Sequence, residues 1–283
     1  MELNGDHSLR AGDRVRYLLR NARRNMLGFA RPGFRRFSQW HPPAGAIDGV
    51  AAPIASPGRK LAEAFTVFGL PQHLPVGEIS VLEIGCGSGR ARDLLARAGY
   101  SGHYTGLDVY DRFNKSHGRA AFKSEFRLMD AHDIEIAPRF DLIMSNSALE
   151  HIEDDAKLLA RLRACLRPGG VQCHIVPSGA ALPAYLWHGY RQYARRALAE
   201  RFTPEQTEVW TLGGLASLMA HIFWITLPEQ LGRLALRNRY PELYAANLRT
   251  TTAIDRFLRF GAPMYAVVEH APPHHSDISG AAS

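Results

Sequence analysis

Three groups of residues in this chain have the types and spacing to do chemistry. The segment VLEIGCGSGR, residues 81–90, places Gly85, Gly87 and Gly89 within five positions directly after an apolar run. Glycine reaches positive φ readily and, lacking a Cβ, lets main-chain amides and a ligand come into van der Waals contact. The plain alternative is a tight turn, and a glycine loop alone does not decide between them. The residues downstream do. Asp108 closes the next apolar run, in TGLDVY, 19 residues after Gly89, where a carboxylate can accept both hydroxyls of a ribose. Asp130 follows a further run, in RLMDAHDI, placed to accept from an exocyclic amine such as that of adenine. Together they would grip one nucleoside at sugar and base. A dinucleotide fingerprint, GxGxxG, fits worse, because counted from Gly85 its third glycine falls on Arg90.

The second group is Glu150, His151, Glu153, Asp154 and Asp155 in LEHIEDD. A histidine titrates near neutrality, so His151 is the candidate general base for a hydroxyl or amine. The acids at 153–155 are read first as the cap of the following helix, where they meet its positive end. They can also imitate metal ligands, and no metal is assigned. The third group, His270, His274 and His275, lies at the end of the last strand and in the tail, and is read as solvated. Cys86, Cys165 and Cys173 form an odd set without CxxC spacing, which argues against a disulfide framework or structural zinc and fits a reducing compartment. Cys86 is read as a small residue facing the ligand.

Short apolar runs alternate with helical periodicity in the segments that must position these groups. Residues 59–70 read as helix, Ile79–Ile84 as strand, Ala91–Ala98 as helix, Tyr104–Val109, Phe126–Met129 and Phe140–Ser145 as strands. A helix opening at Asp154 and Asp155 follows, with Leu158, Leu159, Leu162, Cys165 and Leu166 on its apolar face; Pro168-Gly169-Gly170 ends it before the strand Val171–Val176. Such alternation implies parallel strands with crossover helices, a doubly wound α/β sheet whose ligand site lies beyond the carboxyl ends of the strands. Within the last hundred residues, a helix near 212–220, a penultimate strand Ile222–Leu227 and a last strand Met264–Val268 are expected.

On these residues the chain resembles the class I S-adenosylmethionine-dependent methyltransferases, in particular the broad small-molecule (type 11-like) branch. The carriers are ExGxGxG at Glu83–Gly89, the acidic strand end at Asp108, Asp130-Ala131, FDLIMSNSALEHIEDD and LRPGG, five motifs in order over about ninety residues. The resemblance implies a Rossmann-like α/β sheet, mostly parallel with an antiparallel last strand, and S-adenosylmethionine as cofactor. It also implies roles: Glu83 helps place the methionine end, Gly85, Cys86 and Gly87 pass beneath it, and Asp108 takes the ribose hydroxyls. Val109 packs on the adenine, Asp130 with the Ala131 backbone reads its edge, and Ser145 lines the methionine pocket.

Composition bounds what surrounds this core. A chain of 283 residues that is 46% hydrophobic can bury one large core with a substantial insertion. The net charge of +7 is already accounted for by residues 1–60, so the basic character belongs to an N-terminal extension. Four segments follow: 1–58, a basic helical extension and linker; 59–177, the cofactor-binding core; 178–260, an insertion capping the substrate; 261–283, the last strand and tail. In the extension, Val15, Leu18, Leu19, Ala22, Met26 and Phe29 recur at helical spacing among arginines. This helix either docks its apolar stripe on the domain or meets anionic headgroups. In the insertion, Tyr185, Trp187, Tyr190 and Tyr193 interleave with Arg191, Arg195 and Arg196, a mixture suited to a ring with an anionic group and equally to an interfacial helix or a helix that covers the pocket with ordinary core aromatics.

Two uncharged stretches, Pro168–Tyr190 and Val209–Pro228, approach membrane-span length but carry prolines and paired glycines, and are read as buried or interfacial. The expected acceptor is a hydroxyl or other nucleophile of a small molecule or saccharide. The alternatives are a lipid-linked or envelope glycan worked on at the membrane surface, and a cofactor-binding regulator that transfers nothing. Nucleic acid is not expected, because the basic residues gather in the extension and Ser145-Asn146-Ser147-Ala148 stands where an NPPY-type segment would. The chain is expected in the cytoplasm, with peripheral membrane contact through the basic helix as the further option.

Overall fold

Eight strands form one sheet: β1 (Arg36–Trp40), β2 (Glu78–Ile84), β3 (Ser101–Asp108), β4 (Phe122–Leu128), β5 (Phe140–Asn146), β6 (Leu166–Pro177), β7 (Thr207–Leu212) and β8 (Met264–His270). Their order is β1-β7-β8-β6-β5-β2-β3-β4, and all run parallel except β8, which is antiparallel to both β6 and β7. This is the Rossmann-like, mostly parallel sheet with an antiparallel last strand. The helices are α1 (Ala11–Met26), α2 (Ala46–Val50), α3 (Pro57–Phe68), α4 (Arg90–Arg97), α5 (Asp155–Arg163), α6 (Arg195–Ala199), α7 (Leu215–His221), α8 (Leu236–Arg239) and α9 (Pro241–Ile254). The computed structural model describes residues 2–26, 33–113, 121–137 and 139–272; Phe29, His274 and His275 lie outside them.

The central strands are apolar on both faces because both faces are covered. On one, Val81, Leu142 and Met144 pack with Leu61 and Phe65 of α3 and Leu95 of α4. On the other, Leu82, Ile84 and Ile143 meet Leu158, Leu159 and Leu162 of α5. These three leucines are fully buried, each contributing about 1.5–3 kcal/mol of transfer free energy. The helix starts of α4 and α5 thereby stand over the carboxyl ends of β2 and β5.

Three expectations are corrected. The stretch read as a linker contributes β1, which pairs along its whole length with β7 at one edge of the sheet. The penultimate strand is Thr207–Leu212, and Ile222–Leu231 is instead a π-helical turn. The strand between β1 and β8 is covered on both faces; all six residues of TEVWTL are buried, whereas Phe223 and Leu227 are exposed. Helix α1 docks through Tyr17 and Asn21, not through the apolar stripe. The Tyr17 hydroxyl donates to the His188 carbonyl at 2.7 Å, while Val15, Leu19 and Met26 stay exposed. No helix among the described residues is long and apolar enough to cross a membrane.

Candidate active site

The turn from β2 into α4 is built from left-handed backbone: Gly85 and Gly87 have φ of 66° and 51°, conformations that side chains other than glycine adopt at a cost. A Cβ on Gly85 would stand 2.5 Å from that of Ala148. The loop is fastened to β3 by Cys86 N–H donating to Leu107 O at 3.0 Å and Gly87 N–H donating to Asp108 Oδ2 at 2.8 Å. Asp108 Oδ1 accepts from Tyr110 N–H at 2.9 Å, and Val109 and Tyr110 offer an exposed apolar shelf beside it. Cys86 is buried, and burial raises its thiol far above its ordinary pKa.

Glu83 is buried near the end of β2 and accepts from the Tyr104 hydroxyl. Burial, reinforced by the charge of Asp108, raises its pKa to about 8, so it is largely protonated at neutral pH. Asp130 caps the short turn Ala131–Asp133. Its Oδ1 receives both His132 N–H, at 2.9 Å, and the His132 ring at Nδ1, at 3.0 Å, and the backbone bond holds the carboxyl below its ordinary value. Oδ2 has no partner among the described residues and stays available as an acceptor; Ala131 is buried behind it.

Ser145 does not offer its side chain where the sequence placed it. It is fully buried, and its hydroxyl bonds His174 Nδ1 at 2.8 Å; His174 Nε2 in turn faces Gln172 Oε1 at 3.0 Å. Since the Gln172 oxygen accepts only, Nε2 carries the proton and Nδ1 accepts from Ser145. Burial lowers the His174 pKa to about 3. Strand alternation turns Ser145 toward the α5 side of the sheet, which a one-dimensional motif does not reveal.

At the carboxyl end of β5, His151 stands on a single 3₁₀ turn, Leu149–His151. Its Nδ1 lies 2.6 Å from Asp6 Oδ2 and its ring meets His188 edge-on, centroids 4.6 Å apart. Burial opposes the charged ring, but the Asp6 hydrogen bond and the charges of Glu150 and Asp6 outweigh it, and the His151 pKa is raised. Glu150 is buried, with Oε1 at 4.0 Å from His151 Nε2 and 3.9 Å from His188 Nε2. Desolvation raises its pKa to about 7 against the pull of His151. Tyr185 stacks on His188 and meets His221 edge-on.

Sequence reasoning missed Asp6, His188 and His221. Asp6 arrives on a strap in which Gly5 N–H donates to Gly189 O at 2.7 Å and Gly189 N–H donates to Asp6 Oδ1 at 3.1 Å. A Cβ on Gly5 would stand 2.2 Å from the Trp187 carbonyl carbon, so only glycine lets the strap lie this close. The described ligand atoms of Asp6, His151 and His188 lie within 4.8 Å of one another; the direct 2.6 Å hydrogen bond makes a His–Asp dyad the economical description. No local signal relates residues 145 positions apart. The acids at 153–155 divide: Asp155 is a buried ion-pair hub, and Glu153 Oε1 accepts from Glu2 N–H at 3.2 Å.

Residues 82–173 match a family model described as a methyltransferase domain. An uncharacterised methyltransferase of Mycobacterium tuberculosis is 32% identical over 123 residues, covering 42% of this chain and 61% of that protein. A ubiquinone biosynthesis O-methyltransferase of a Methylobacterium species is 32% identical over 102 residues, 34% of this chain and 40% of that protein. The chain thus spans between 40% and 61% of the length of these curated relatives. Among solved structures, the [4+2]-cyclase SpnF shares the fold at a TM-score of 0.50 and 17% identity, over 92% of this chain and 93% of that one. The glycine loop and the acidic strand ends lie in the matched segment: residues 82–173 carry a methyltransferase domain, similar to those of the class I S-adenosylmethionine-dependent enzymes.

Proposed function

We propose that the protein transfers a methyl group from S-adenosylmethionine to a hydroxyl or other nucleophile of a small molecule, with His151 as the general base. The reading is carried by the clasp of the Gly87 amide on Asp108 at the strand ends, on the same sheet edge as the His151–Asp6 pair. The residues fit this cofactor. Beyond its two chain neighbours, no described residue comes within 4 Å of where a Cβ on Gly87 would stand, so the loop leaves the room that close approach requires. Each Asp108 oxygen carries one backbone N–H and keeps a lone pair for a ribose hydroxyl. Asp130 Oδ2 suits an exocyclic amine, and Val109 the purine face. When bound, the cofactor supplies a methyl group already activated by its sulfonium.

What remains for the chain is placement and proton removal. Nδ1–H of His151 donates to Asp6, which leaves Nε2 as the lone-pair nitrogen. The acceptor's proton passes to Nε2, and the resulting imidazolium is balanced by Asp6 and by Glu150. The name of the Methylobacterium relative, an O-methyltransferase, supports an oxygen acceptor. The cyclase that shares the fold is the reason to measure transfer itself. Calorimetry with S-adenosylmethionine and its demethylated product, followed by incubation of the methyl-labelled cofactor with a soluble metabolite extract, tests both halves. Heat without labelled product leaves the regulatory alternative; no heat removes the proposal. Asp108→Ala is expected to weaken cofactor binding about 10- to 100-fold, the loss of one charge-assisted contact; unchanged affinity removes the ribose assignment.

A second reading has its own observation. Val15, Leu19 and Met26 are exposed on α1 beside the exposed Arg16 and Arg23, the mixture that binds an anionic bilayer surface. An acceptor embedded in or anchored to a membrane would then be presented to the adjacent strap. The full chain is expected to co-sediment with vesicles containing anionic phospholipid, and Leu19→Glu with Met26→Glu to abolish this. Equal binding by the double variant removes the membrane reading and leaves the soluble acceptor.

A further inference from the structure

The opposite edge of the sheet carries a second constellation that methyl transfer does not use. His73 ends the 3₁₀ turn before β2, Glu208 is the second residue of β7, and His270 is the last residue of the antiparallel β8. This topology brings all three to the amino-terminal edge of the parallel strands, away from Asp108 and His151. One ligand atom from each lies within 4.8 Å of the others. The imidazole rings are tilted toward each other with centroids 5.6 Å apart, and His270 Nε2 is 3.7 Å from Glu208 Oε1. His270, read from sequence as a solvated strand end, is instead half-buried against Glu208.

Two buried nitrogens here are unsatisfied. Nε2 of His73 and Nε2 of His270 are both shielded from solvent and have no hydrogen-bond partner among the described residues. An orphaned buried polar atom is costly, and two such nitrogens in a cluster with one carboxylate call for a shared partner. Glu208 is also approached by Arg35, 3.9 Å from Oε1, and by Arg36, 3.5 Å from Oε2. Both guanidiniums are more than half exposed, and Arg36 also lies over the Trp210 ring at 5.0 Å. Arg36 can keep Oε2 while Oε1 turns to the histidines.

We infer that His73, Glu208 and His270 bind one divalent transition-metal ion of the zinc class, tying the turn before β2 to the end of the β7–β8 pair. Two imidazoles and one carboxylate are donors that zinc accepts, and three protein ligands leave one position for water. The site is distinct from the Asp6–His151–His188 group at the other edge of the sheet.

The test is calorimetric titration of the untagged full chain with zinc chloride, in wild type, His73→Gln, His270→Gln, His188→Gln and a His274→Ala, His275→Ala double variant. One zinc per chain is expected. Affinity should fall at least about tenfold in both His73→Gln and His270→Gln, and stay within about twofold in the other two variants. Zinc should raise the thermal midpoint of wild type and of His188→Gln but of neither ligand variant, since a ligand bound only by the native state stabilises it. A wild type that binds no zinc, undiminished affinity in either ligand variant, or loss in His188→Gln or in the tail variant overturns the site.

Discussion

Asp155→Ala is expected to cost about 3–5 kcal/mol of folding stability, the range for removing one partner of a buried charge network. Asp155 is 1% exposed. Its Oδ1 lies 2.5 Å from Arg191 Nη1, and its Oδ2 takes Arg201 Nε at 2.6 Å and the Tyr193 hydroxyl at 2.7 Å. Alanine would leave a buried hydroxyl short of its acceptor and two largely buried guanidiniums to weaker partners: Arg191 keeps Glu2 at 2.9 Å, and Arg201 keeps, among the carboxylates of the described residues, only Glu200 at 3.9 Å. A domain stable by about 5–15 kcal/mol cannot lose this unnoticed. Denaturant titration should show a lower midpoint with an unchanged slope. Asp155→Asn, which keeps an acceptor for Tyr193, should lose less. A loss below about 1 kcal/mol for the alanine variant would mean that the arginines are satisfied elsewhere. The hub also matters for chemistry, because residues 188–193 hold His188 and receive the strap carrying Asp6.

His151→Ala is expected to lower kcat by about 10²–10⁴-fold on the acceptor identified by the labelling experiment, with calorimetric affinity for the cofactor nearly unchanged. A base works deprotonated. Because the Asp6 bond raises the His151 pKa, the acidic limb of the kcat/KM profile should lie above the pH of an unperturbed histidine, with activity rising as pH increases through it. Asp6→Asn removes the charge that holds the imidazolium, so the limb should move to lower pH while kcat falls less than in His151→Ala. Undiminished turnover in His151→Ala removes the histidine from the chemistry. An Asp6→Asn limb that stays in place reduces Asp6 to a tether.

The legible part of this protein was the part encoded locally. Ile79–Ile84 and Phe140–Ser145 match β2 and β5 to within a residue because a strand covered on both faces reads as a mostly apolar run. The glycine loop was legible because left-handed backbone and a 2.5 Å approach tolerate no other residue type. Asp108 and Asp130 were legible as strand-end acids because each follows an apolar run: Asp108 closes β3 and Asp130 stands two residues past β4. Ser145 was not, since which face of the sheet a hydroxyl meets depends on the neighbouring strand. The 222–227 run was misread because IFWITL and TEVWTL are both strand-like, and only a place between β1 and β8 separates them.

By itself, then, the chain's order of residues determined the doubly wound class, the glycine loop after β2 and the two acids at the following strand ends, because each follows from periodicity or from a conformation that glycine allows. Only the tertiary structure decided what surrounds them: that the basic extension brings Asp6 to His151, that Asp155 is an ion-pair hub rather than a helix cap, and that His73, Glu208 and His270 meet at the far edge. Those contacts join residues 145, 36 and 197 positions apart. Their energies come from burial and charge pairing in three dimensions, which leave no period in the sequence to read.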